Sequence, residues 1–93
     1  MDARLLFHKK QRYRDSIVET VIWQLPQADN ERPHGLKYRL VYVRDGKRIV
    51  GYDNERGKGD HKHIAGQELP YHFNSVRDLV HDFWADIRRC SDE

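Results

Sequence analysis

Apolar and polar positions alternate through much of this chain, then give way near its end to a helical period. Residues Ser16–Leu25 (SIVETVIWQL) are β-branched and aromatic, with Ile17, Val21, Trp23 and Leu25 alternating against Glu19, and predict a half-buried strand. Tyr38–Val43 and Lys47–Tyr52 flank Asp45-Gly46, a pair that favours a two-residue type I′ hairpin turn because both central residues must accept positive φ. An unbroken ladder from that turn would set Tyr42 opposite Ile49, Leu40 opposite Gly51 and Val41 opposite Val50. Ala3–Lys9 mixes apolar and basic residues and predicts a first strand, joined to the second by a polar connection over residues 10–15. The stretch PQADNERPHG, residues 26–35, holds two prolines and reads as a loop. Tyr71–Phe73 is a candidate for a further short extended piece.

The period changes at Ser75, which opens a helix as its N-cap, with Asp78 three residues on in a near capping-box position at the positive end of the dipole. Val76, Leu79, Val80, Phe83, Trp84 and Ile87 then form one apolar stripe that must lie on the sheet. Asp78, Asp82 and Asp86 are expected on an acidic outer face. The pattern predicts an α+β fold: an antiparallel sheet of about four strands packed against one C-terminal helix.

Ninety-three residues suit a single domain spanning residues 1–93, because a second core of this size would be starved of apolar surface. Charged residues make up 34%, yet Leu, Ile, Val and Phe number 22, enough to expect folding around a thin core. The net charge of +2 is a weak argument for a polyanionic partner, but its distribution is not even. Between Ala3 and Arg14 there is no acid, while Arg4, Lys9, Lys10, Arg12 and Arg14 are all present. A single cysteine, Cys90, excludes an internal disulfide and a site of several thiolates. No apolar run approaches the roughly 18 residues of a membrane span and no signal-peptide core follows the first charges, so a soluble, cytoplasmic protein without a membrane partner is expected.

Chemistry concentrates in Gly51–His63 (GYDNERGKGDHKH), where three acids, three bases, two histidines and three glycines occupy thirteen residues. Core packing does not select such a segment, and it is expected as a loop carrying a site. His61 and His63 flank Lys62, and residues in an extended 61–63 would send both imidazoles the same way. RNA is cut without metal when one group takes the 2′-hydroxyl proton, another protonates the leaving 5′ oxygen and a cation steadies the phosphorane. That chemistry assigns His61 and His63 to proton transfer, Lys58 and Arg56 to phosphate charge, and Asp60 to orienting a histidine. Lys62, with Lys9, Lys10 and Arg12, would track the RNA backbone, joined by Arg39, Arg44, Lys47 and Arg48 of the hairpin.

Each assignment has a plainer rival. His-x-His occurs in solvated loops, and basic residues along strands guard sheet edges against aggregation. Asp53, Glu55 and Asp60 suggest a Mg²⁺ site beside Lys58, but acids on such a mixed-charge surface more often serve as partners for Arg56, Lys58 and Lys62. No metal and no cofactor is expected. Gly-Lys-Gly-Asp lacks the hydroxyl residue and following helix of a phosphate-cradling loop. Tyr52 and Trp23 could stack bases, with core packing the default. His34, His72 and His81 carry less weight, and His8 lies on a basic strand.

The blocks ARLLFHKKQRY, SIVETVIWQLP, HGLKYRLVYV and GYDNERGKGDHKH, followed by the closing helix, together resemble the TumE family of prokaryotic toxin-antitoxin proteins over nearly the whole chain. The resemblance implies a toxin held by a cognate helix-turn-helix antitoxin; the residue roles above come from local chemistry. Two other readings stay open: a non-catalytic toxin that binds nucleic acid or the ribosome, and a regulatory partner of a DNA-binding antitoxin. A homo-oligomer is compatible with each. The acidic helix face and the 26–35 loop are the candidate partner surfaces.

Overall fold

A computed structural model describes residues 3–55 and 57–91. Strands β1 (Arg4–Tyr13), β2 (Ser16–Gln24), β3 (Leu36–Arg44), β4 (Lys47–Asp53), β5 (His61–Ile64) and β6 (Gln67–Pro70) precede one helix, α1 (Val76–Ser91). The strands form one antiparallel sheet in sequence order, each paired with the next. The expected architecture is present, with six strands where about four were expected. No described helix is long and apolar enough to cross a membrane.

Three differences from the sequence pattern have physical causes. The first strand continues through residues 10–13, so that only Arg14-Asp15 turns the chain between the paired Tyr13 and Ser16. An edge strand bathed in water on one side needs few apolar residues, and its basic side chains conceal the strand from an alternation test. Asp45 and Gly46 do form the turn, at φ 54° and 75°, but the ladder slips one residue after Val43↔Arg48. Tyr42 therefore meets Val50, Leu40 meets Tyr52 and Val41 meets Gly51. Ile49 is the extra residue of this bulge. Finally, the 51–63 segment is a loop only between Asp53 and His61. Its ends belong to β4 and β5, and β5 returns as β6 through Ala65-Gly66, both at positive φ. The Tyr71–Phe73 piece is not a strand.

The core lies between one sheet face and α1, built on Val18, Ile22, Leu40, Tyr42, Val50, Tyr52, Leu79, Phe83 and Ile87. The helix opens as expected, with the Asp78 amide donating to the Ser75 hydroxyl at 3.0 Å. Its outer face is less acidic than expected, because Asp86 is only 4% exposed. Asp86 accepts hydrogen bonds from the Tyr52 hydroxyl, from Lys62 Nζ at 3.1 Å and from Arg89 Nη1 at 2.8 Å. At about 100° per residue, position 86 falls beside Leu79 and Phe83, on the flank that meets β4 and β5. Burial and the neighbouring carboxylates of Asp86 and Asp82 raise the phenol pKa values of Tyr52 and Tyr71, keeping both as hydrogen-bond donors.

Candidate functional site

The open face of the sheet, away from α1, carries the histidine chemistry. Val50 and Tyr52 point to the core, so their neighbours Gly51 and Asp53 face outward. Pairing of Gly51 with His63 and Asp53 with His61 sends both imidazoles to that same side. Their ring centroids lie 5.1 Å apart, at 80°.

His61 is 5% exposed and held at both nitrogens. Nδ1 donates to the Gly59 carbonyl at 3.0 Å, and Nε2 lies 2.6 Å from Asp53 Oδ1. Bare, Nε2 and the carboxylate would both be acceptors, so one proton lies between them. Glu68 Oε1 on β6 stands 3.6 Å from the same nitrogen. His63 is less enclosed. Desolvation, followed by the positive charges of Arg48 and His61, lowers its pKa below the usual imidazole value, against the opposing pull of Asp53 and Glu68. The shift favours the neutral imidazole, the form that a general base requires.

Arg48 reaches this place because of the bulge. In an unbroken strand it would share the face of Val50 and Tyr52; the extra residue at Ile49 turns it outward instead. Its side chain then crosses residue 51, where a Cβ would lie 2.9 Å from Arg48 Cδ and 3.3 Å from Nε. Glycine at 51 leaves room for the arginine beside His63.

The other expected site residues disperse. Asp60 does orient a histidine, but that histidine is His34, whose Nε2 lies 3.1 Å from Oδ1, while the Tyr38 hydroxyl donates to the same oxygen at 2.6 Å. His34 Nδ1 accepts from the Leu36 amide, so Nε2 carries the proton, and the ring packs on Phe73 at 4.1 Å. Asp60 therefore fastens the 54–60 connection to the end of β3. Lys62 points to the helix side, over the Tyr52 ring and onto Asp86. Tyr52 is buried in the core, leaving no face for a base. Lys58 is exposed on the connection, and Arg56 lies outside the described residues. On β1, Lys10 and Arg12 share the open face with the histidines, whereas Lys9 faces the helix side. Glu19 sits among these bases, 2.8 Å from His8 Nε2 and 3.8 Å from Arg39 Nη1; the hydrogen bond with His8 leads in lowering its pKa.

Asp53, His61 and His63 also offer donor atoms within 4.8 Å of one another, a set of the kind that binds transition metals. The positive charge of Arg48 beside this set opposes a cation there. Proton transfer next to a fixed positive charge is the chemistry this geometry favours. Sequence reasoning undervalued Asp53 and Arg48, since their nearness to the histidines depends on strand register and on the bulge.

No curated protein and no solved structure matches the chain. The family model described as Toxin TumE matches residues 3–90, nearly its full length. The chain belongs to the TumE toxin family.

Proposed function

We propose that this chain is the toxin of a toxin-antitoxin pair and that it cleaves RNA on the open sheet face without a metal ion. The observation that carries the reading is the grouping of His63, Arg48 and the Asp53–His61 pair on one side of β4 and β5. His63 takes the proton of a 2′-hydroxyl as the 2′ oxygen attacks phosphorus, and Arg48 steadies the phosphorane charge. The bond from phosphorus to the 5′ oxygen breaks, and that oxygen receives the proton held between His61 and Asp53. The products are a 2′,3′-cyclic phosphate and a free 5′-hydroxyl. Lys10, Arg12 and Arg39 grip the flanking backbone, and Lys58, with Arg56, adds charge at the loop.

Purified protein incubated with a synthetic RNA in EDTA should give cyclic-phosphate ends. His63→Ala and Arg48→Ala should each slow the reaction about 10²-fold or more. An inert protein, cleavage that EDTA abolishes, or full activity in His63→Ala would refute the proposal.

A second reading has its own observation: both His61 nitrogens are occupied, as suits a brace as well as an acid. On that reading the basic open face binds RNA or the ribosome and blocks by occupancy. Growth arrest would then survive His63→Ala and disappear in Lys10→Glu/Arg12→Glu. A purely regulatory partner of a helix-turn-helix antitoxin would leave cells growing normally when overproduced alone.

A further inference from the structure

One helix cannot cover a six-stranded sheet. Strands about 4.8 Å apart make such a sheet roughly 24 Å across, whereas a helix with its side chains is about 10 Å wide. α1 is tied to β4 and β5 through Asp86, and a groove of about 460 Å³ runs between it and the helix-side face of β1 and β2. Phe7, Val18 and Ile22 line its sheet side, and Val76, Val80 and Trp84 its helix side. The apolar lining is itself open to solvent: Phe7 is 46% exposed and Val76 39%. The gap matches the width of a second helix, whose arrival beside α1 would complete a two-layer α/β sandwich.

Charge identifies the occupant. β1 carries four lysines and arginines and no acid; Lys10 and Arg12 face the open side, and Lys9 lines the groove. Steps of about 100° along α1 place exposed Arg77 and Arg88 beyond Trp84, on the groove flank, while Asp82 and Asp86 are engaged by Tyr71 and Tyr52 on the far side. A second copy of this chain would set these bases against their own equivalents, since a two-fold contact repeats one surface on both partners. An acidic partner meets no such repulsion.

Membership in a toxin family implies an antitoxin. We propose that the groove docks an acidic amphipathic helix of that antitoxin, its apolar stripe on Phe7, Ile22, Val80 and Trp84 and its carboxylates facing Lys9, Arg77 and Arg88. The proposal is independent of whether the open face cleaves RNA.

Calorimetric titration of the intact toxin with the antitoxin encoded beside it provides the test. Phe7→Glu should weaken binding about tenfold or more through the apolar contact, and Arg77→Glu/Arg88→Glu by a similar factor through charge. The exposed charge-reversal pair should leave the thermal unfolding midpoint nearly unchanged, which separates lost docking from lost folding. Affinity unchanged in both variants would overturn the proposal, as would loss confined to Lys10→Glu/Arg12→Glu on the open face. So would a toxin dimer in sedimentation that Phe7→Glu converts to monomer, because the groove would then be filled by a second copy.

Discussion

Asp53 Oδ1 and His61 Nε2 meet at 2.6 Å across β4 and β5, the shortest of the contacts that fix the histidine pair. Both side chains are largely enclosed, so the charge-assisted bond is poorly screened. Asp53→Asn retains the shape and removes the carboxylate. The substitution should cost about 1–3 kcal/mol in urea-induced unfolding, together with a large loss of RNA cleavage. Unchanged stability would show that the contact does not hold β5 in place.

The pH dependence of cleavage should report His63 through its surroundings. Its pKa lies below the ordinary imidazole value, so the base form should prevail at neutral pH, and activity should fall on acidification below that value. Arg48 on β4 and His61 on β5 push the pKa down; Asp53 on β4 and Glu68 on β6 pull it up. Removing the guanidinium in Arg48→Ala makes the imidazolium less costly, so the acid limb of kcat/KM should move to higher pH. Gly51→Ala should move it in the same direction, because the added methyl displaces the arginine that crosses residue 51. An acid limb that stays fixed in both variants would remove His63 from the role of base.

The parts of the fold that were legible depend on local chemistry. Asp45-Gly46 announces its turn, and Ser75 with the stripe from Val76 to Ile87 announces the helix. β5 and β6 stayed hidden because each has four residues, mostly polar, and only Ile64 and Leu69 suggest strands. The proximity of His61 to His63 followed from their spacing, whereas the Asp53 partner and the Arg48 neighbour required a register that a single extra residue at Ile49 alters. Asp60 and His34 are 26 positions apart, beyond the reach of any local pattern. Asp86, expected on the outer face, was misplaced by a pattern that held the answer: its helical position beside Leu79 and Phe83 makes it a flank of the core.

The three aspartates of α1 should differ sharply in what they contribute to stability. Asp86→Ala leaves the Tyr52 hydroxyl and the Lys62 ammonium without their shared acceptor at a buried site, and should cost about 3 kcal/mol or more. Exposed Asp78 contributes chiefly through the helix dipole, and Asp78→Ala should cost about 1 kcal/mol or less. Chemical denaturation of the two variants side by side decides the matter, and equal losses would contradict the placement of Asp86.

Asn54 ends β4 by substituting a side chain for the next rung of the ladder. Its Oδ1 accepts from the Tyr38 amide at 3.0 Å and its Nδ2 donates to the Leu36 carbonyl at 2.8 Å, so β3 stays paired after the backbone of β4 has turned away. The residue is fully buried, leaving water no easy access to replace the amide. Asn54→Ala should therefore leave both backbone groups unsatisfied and cost about 2–3 kcal/mol. Asn54→Asp should restore the bond from the Tyr38 amide and lose the one to Leu36, because a carboxylate has no donor for a carbonyl. Native-state hydrogen exchange separates the two: the Tyr38 amide should lose protection in Asn54→Ala and keep most of it in Asn54→Asp. Equal protection in all three proteins would mean that the side chain does not carry the end of the ladder.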